Sequence, residues 1–210
     1  LNINLLTTAI EDFRGGSGAD TVDGSGQAVS LTLYGYGGND SIQGGSQNDG
    51  IDAGEGHNKV FGNDGDDGIN TYGGNDTVEG GGGNDNLNVR EGNNSVSGGD
   101  GNDNIWGGSG ADTITGGAGN DAIYAGGGAD RVDAGDGNDY ISVDSNVVVA
   151  ALQGGTGTDR VDVSGTQGLN INLLTTAIED FRGGSGADTV DGSGQAVTLA
   201  IYGYAGSDSI

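Results

Sequence analysis

Gly107-Gly108-Ser109-Gly110-Ala111-Asp112-Thr113-Ile114-Thr115 is followed without a break by Gly116-Gly117-Ala118-Gly119-Asn120-Asp121-Ala122-Ile123-Tyr124. Both stretches carry glycine at positions 1, 2 and 4, aspartate at position 6 and isoleucine at position 8. The period extends in both directions, and Gly35 to Ser142 divides into twelve consecutive nonapeptides with no insertion or deletion. Position 8 is aliphatic in all twelve and position 4 is glycine in eleven, Gln47 being the exception. Position 6 is aspartate in ten and asparagine in two, Asn58 and Asn94. Strand side chains alternate faces, so position 8 points one way and positions 7 and 9 the other. One inward aliphatic per strand builds no core by itself, but rungs stacked about 4.8 Å apart turn it into a continuous apolar ladder. Two nonapeptides then make one turn of a flattened two-sheet coil, and every second unit falls on the same edge.

The composition fits such a coil better than an ordinary globular domain. Of 210 residues 49 are glycine, none is proline, cysteine or methionine, and only 32% are apolar. Acidic residues number 31 against six Lys plus Arg, for a formal net charge of −25. That charge excludes nucleic acid and anionic membrane as partners, since both select a basic surface. It leaves intrinsic disorder, or a fold whose carboxylates are neutralised by bound cations, and the strict period decides for the second. No stretch reaches the roughly 18 apolar residues of a membrane span, so no membrane insertion is expected, and no secretory signal is visible. Without cysteine there is neither a disulfide framework nor thiol chemistry.

A second period is longer. Leu1 to Val29 recurs unchanged at 169–197, and Tyr34-Gly35-Tyr36 returns as Tyr202-Gly203-Tyr204, which defines a 168-residue repeat. The sequence reads as a window on a longer tandem array. The repeat length accommodates 18 rungs plus six extra residues, an even rung number that restarts each repeat on the same edge.

Glycines in the turns supply backbone conformations with positive φ and close approach of the chain to an ion. The aspartate ending each turn presents an oxygen where several carbonyls converge, a setting for a hard cation with six to eight oxygen ligands, Ca²⁺. Zinc or copper would require His or Cys clusters, and the chain has one histidine. The two nonapeptides quoted at the outset resemble the repeats-in-toxin (RTX, hemolysin-type) motif, G-G-x-G-x-D-x-U-x, a β-helix repeat that binds calcium. The resemblance implies an all-β fold, a right-handed parallel β-roll or β-solenoid with multiple Ca²⁺ ions in its turns. It also implies secretion, with folding outside the cell. Matched position by position, it implies metal ligation by Asp40, Asp49, Asp67, Asp76, Asp85, Asp103, Asp112, Asp121, Asp130 and Asp139, with Asp20, Asp159, Asp188 and Asp208 from outlying units. A metal-free chain is not expected to fold.

The edges differ. Units starting at 44, 62, 80, 98, 116 and 134 have aspartate at every position 6. Units starting at 35, 53, 71, 89, 107 and 125 carry both asparagines and open with Ala53, Thr71, Val89 and Ala125 at four places. Their turns also hold Tyr36, Glu55, Tyr72, Arg90 and Glu91, so this edge reads partly as contact surface, with no calcium assigned to 53–61 or 89–97. Residues 1–14 read as the end of a spacer and 15–142 as the calcium-binding roll. Residues 143–182 read as spacer rungs containing one calcium-type unit at 154–162, and 183–210 as the start of the next repeat. In the spacer, Val147-Val148-Val149 and Leu169 to Leu174 read as strands. Trp106, Tyr124 and Tyr140 are expected to face outward on one wall.

No residue set points to catalysis. His57 sits in an irregular turn and no Ser or Cys has a base beside it, while the carboxylates fall at a metal-site period and not as an acid pair. The chain is read as a non-enzyme, a calcium-stiffened stalk, fibre or surface layer of a secreted or surface protein. The alternative is a calcium-binding secretion or folding module attached to a secreted enzyme or toxin. Expected partners are neighbouring tandem repeats joined end to end, with lateral self-association along the aromatic wall as a second expectation. Position 9 lacks the threonine ladder of an ice- or crystal-binding face.

Overall fold

A computed structural model of the chain describes residues 2–5, 10–144, 152–166, 168–193 and 198–210. Its described residues form a parallel β-solenoid. One sheet has nine strands, from Asn2–Asn4 to Leu152–Thr156, and the other has eleven, from Asp12–Gly16 to Ala200–Tyr202. Successive strands alternate between the sheets, so each sheet pairs strands one full turn apart, as in Leu87↔Ile105 and Val96↔Ile114. Position 8 supplies the core: Ile42, Ile51, Val60, Ile69, Val78, Leu87, Ile105, Ile114, Ile123 and Ile141 are all essentially inaccessible.

The nine-residue unit contributes a second inward position. After position 9 the chain points inward again at position 1, so Ala53, Thr71, Val89 and Ala125 are 0% exposed. These four residues are therefore core, and the contact-surface reading of their edge is corrected for them. They continue the alternation of the strand by one residue into the turn.

Three glycines per unit answer three separate constraints. Position 2 in ten of the twelve units and position 4 in eleven lie at positive φ, as at Gly99 (φ 120°) and Gly101 (φ 133°), where a side chain would also strike the carbonyls of Gly81 and Gly83 one turn earlier. Position 1 has no such φ at Gly98, but a methyl there would fall on Asp103 Oδ2 and the Gly116 carbonyl.

The eleven-stranded sheet passes through the spacer without interruption. Its inward residues run Phe13, Leu33, Ile51, Ile69, Leu87, Ile105, Ile123, Ile141, Val161, Phe181 and Ile201. Between Phe13 and Phe181 six turns have the short spacing seen between Asp67 and Asp85, and three have the longer spacing seen between Asp139 and Asp159. Each longer turn carries two added residues, so three of them account for the extra residues of the 168-residue repeat. The nine-stranded sheet ends at Leu152–Thr156, and Asn170–Asn172 pairs instead with Thr189–Asp191 in a separate ribbon. That ribbon copies the register Asn2↔Thr21, Ile3↔Val22 of the first repeat.

Residues Leu173–Thr176, expected in part as strand, form a single helical turn. Ala177 leaves it in the left-handed region (φ 49°) and donates its N–H to the Leu173 carbonyl, a closure typical of helix ends. Leu173 is fully buried, so the turn supplies core where the sheet is interrupted. Val147-Val148-Val149 lies outside the described residues.

Gly101→Ala should lower the stability of the calcium-loaded chain by about 1–3 kcal/mol, the cost of a strained backbone position. Gly50→Ala, at a position with open space and no positive φ, should stay within about 0.5 kcal/mol of the parent. Denaturant melts of the two variants check this pair of values.

Candidate metal centre

Position 6 lies two residues before the inward aliphatic, at the inner side of each turn. Asp40, Asp67, Asp76, Asp85, Asp103, Asp112, Asp121, Asp139, Asp159 and Asp188 are each at most 3% exposed. Their two oxygens have different fates. Oδ1 accepts the backbone N–H of the position-6 residue one turn earlier, as in Asp67 N–H to Asp85 Oδ1 (2.7 Å), Asp85 to Asp103 (2.8 Å) and Asp103 to Asp121 (2.8 Å). Oδ2 in all ten is buried and accepts no hydrogen bond. A buried, unpaired carboxylate oxygen is among the most costly groups a fold can contain. Ten of them in register need a partner.

The surroundings specify its chemistry. Asp67 Oδ2 and the Gly80 carbonyl both crowd the space where Gly62 has no side chain, and Asp121 Oδ2 and the Ala134 carbonyl do the same at Gly116. Among the described residues no three His, Cys, Asp or Glu side chains converge on one point. Each centre therefore offers one carboxylate with main-chain carbonyls and no nitrogen or sulfur ligand, a donor set that fits a hard, oxygen-seeking cation.

Electrostatics agree. Burial pushes Asp67 and Asp121 up to about 7, and Asp85, Asp112 and Asp159 up to about 6, with neighbouring carboxylates on the ladder adding to the shift. Asp40, Asp49, Asp76, Asp103, Asp130 and Asp139 move upward for the same first cause.

The remaining predicted residues are placed differently. At Asp20 and Asp49 the outer oxygen accepts a backbone N–H from Gly16 (2.9 Å) and Gly45 (2.5 Å). Gln47 replaces the position-4 glycine in the Asp49 turn and has no positive φ, so that turn is wound differently. Asp130 is buried and accepts Asp112 N–H at 2.9 Å. Asp208 is half-buried and accepts Asp188 N–H at 3.0 Å.

Two features escaped the sequence reading. The first is a second ladder at position 5, where Asn84 Oδ1 accepts Asn102 N–H (2.9 Å) and Asn102 Oδ1 accepts Asn120 N–H (2.6 Å). His57 joins it on the other edge through Nδ1, which accepts Asn75 N–H at 2.7 Å. The frequency of asparagine at position 5 was the available signal. The second is the fate of position 6 where the aspartate is missing. Leu31 in the roll and Leu169 in the spacer occupy it, buried, and their N–H groups still donate to Asp49 and Asp188 Oδ1. Glu179 occupies it before Phe181 and accepts Asp159 N–H at 2.8 Å. Counting two residues back from the inward side chain would have found all three.

Fold and site together define a parallel β-solenoid with cation-binding turns. The family description "RTX calcium-binding nonapeptide repeat (4 copies)" matches residues 8–28, 32–60, 52–87, 79–114, 89–123, 106–141 and 176–199. The chain belongs to that family, whose repeats bind Ca²⁺ and are typical of secreted proteins. Searches of curated proteins and of solved structures found no match. The repeat is the domain type found in the chain, and no catalytic domain was found.

The raised carboxylates fix a pH dependence. The folded chain holds these protons more tightly than the unfolded chain, whose aspartates titrate near 3.8. Protonation therefore favours the metal-free roll in acid, and that support is lost as pH rises through about 6–7. In chelator, circular dichroism should show more β structure at pH 5.5 than at pH 7.5, and calcium affinity should fall as pH drops below 6.

Proposed function

We propose that this chain is a segment of a calcium-stiffened extracellular rod, a stalk, fibre or surface layer, with a structural and not a catalytic role. The observation that carries this reading is the uninterrupted sheet from Phe13 to Phe181, two equivalent residues of the 168-residue repeat stacked nine turns apart in one hydrogen-bonded ladder. This sheet crosses the repeat boundary in register and carries the stacking past the point where the nine-stranded sheet ends at Leu152–Thr156. Near-identical long repeats extend a rod and add no new chemistry, whereas a folding module of an enzyme needs no such copy.

In this reading Ca²⁺ is held by the buried aspartates, Asp67, Asp85, Asp103, Asp121, Asp139 and Asp159 on one edge and Asp40, Asp76, Asp112 and Asp188 on the other, with turn carbonyls completing each site. Bound calcium supplies the positive charge that lets these carboxylates stay ionised inside the fold. The residues themselves align successive turns through Oδ1. Side by side, rods would meet on the wall where Trp106 stacks on Tyr124 (5.5 Å between centroids) and Tyr124 meets Tyr140 edge-on (5.8 Å).

Nine turns at about 4.8 Å give roughly 43 Å of rise per repeat. Electron microscopy of a chain of several repeats in millimolar calcium should show straight rods with an axial period near that value. Flexible beads without a regular period would refute the rod and favour an accessory module of a larger secreted protein.

A further inference from the structure

The two asparagines at position 6 are built into the same ladder as the aspartates. Asn58 Oδ1 accepts Asp40 N–H (3.0 Å), and Asn58 N–H donates to Asp76 Oδ1 (2.8 Å). Asn94 Oδ1 accepts Asp76 N–H (2.9 Å), and Asn94 N–H donates to Asp112 Oδ1 (2.7 Å). Both are 3% exposed, as buried as the aspartates around them. The difference is confined to the distal atom. Where Asp40, Asp76 and Asp112 present an Oδ2 with no hydrogen-bond partner, Asn58 Nδ2 donates to the carbonyls of Gly54 and Gly56, each at 3.2 Å. Asn94 Nδ2 reaches the Gly92 carbonyl at 3.4 Å. The acceptor role of Oδ1 fixes which amide atom faces the turn.

In the Asn58 turn the carbonyls at positions 2 and 4 thus both point at the distal atom of position 6, and in the Asn94 turn the position-4 carbonyl does. A carboxylate oxygen there adds negative charge to a ring of carbonyl dipoles and requires a cation between them. An amide nitrogen brings its own donors to the same place. We infer that Asn58 and Asn94 are built-in substitutes for the cation, the Asn58 amide bridging two turn carbonyls and the Asn94 amide reaching one, so that these two turns close without metal. The calcium-bearing turns of that edge are then separated, in the order Asp40, Asn58, Asp76, Asn94, Asp112, while the opposite edge runs without a gap from Asp67 to Asp159. The inference rests on the calcium reading proposed above and adds which turns calcium does not enter.

The test is the number of Ca²⁺ ions bound per chain, by equilibrium dialysis and calorimetry, in the parent, Asn58→Asp, Asn94→Asp and Asp76→Asn. Each Asn→Asp change should add one ion and raise the calcium concentration needed for half-folding. Asp76→Asn should remove one ion and still fold in calcium, which keeps the inference testable if the added carboxylates prevent folding. An unchanged ion count in Asn58→Asp and Asn94→Asp, with the parent binding calcium, would mean that the asparagine oxygens already ligate metal and would overturn the inference alone. A parent chain that binds no calcium would overturn the inference together with the calcium reading.

Discussion

The structure depends on a carboxylate satisfied on one side only. Ten position-6 aspartates, Asp67, Asp85 and Asp103 among them, join their turn to the preceding one through Oδ1 and leave Oδ2 buried without a donor. The first half of that arrangement sets the stacking register, and the second half makes the stack conditional on a cation. Glycine content follows from the same geometry. Most turns take positive φ at positions 2 and 4, and position 1 must be bare wherever a side chain would meet the carboxylate. Glycine loses more conformational freedom on folding than any other residue, so the small apolar ladder works against a steep entropic term, and neutralising buried charge becomes decisive.

The departures from the pattern fit the same logic. Where a turn has no aspartate, its place is taken by a group that solves the same problem differently. Leucine at 31 and 169 replaces the charge with core, glutamate at 179 keeps a carboxylate on a longer arm, and the asparagines at 58 and 94 bring a donor. At four of these five places the backbone N–H ladder continues, since the N–H groups of Leu31, Asn58, Asn94 and Leu169 still find an aspartate oxygen one turn on, while Glu179 N–H donates to the Asp159 carbonyl. The eleven-stranded sheet therefore keeps its register across turns with and without an aspartate. The added residues of the lengthened turns leave the eleven-stranded sheet intact.

Much of this was legible in the sequence, because a period of nine with an invariant inward position admits few folds. The aliphatic at position 8, the aspartate at position 6 and the stacking of every second unit all follow from alternation and pairing. The division of labour between Oδ1 and Oδ2 was not legible, since sequence gives a carboxylate and not its two environments. Ala53, Thr71, Val89 and Ala125 were counted with an edge read partly as contact surface, although strand alternation carries one residue further and buries them. The helical turn at Leu173–Thr176 was missed for a similar reason. An apolar run this short fits either state, and the interruption of one sheet at that point decided it.

Buried aspartates that require calcium before the roll can form are the central claim. Circular dichroism of the 210-residue chain at pH 7.5, first in chelator and then through a calcium titration to millimolar concentration, measures this directly. The predicted result is a coil spectrum in chelator that converts cooperatively to β structure as calcium is added. A β spectrum already complete in chelator and unchanged by calcium would contradict it.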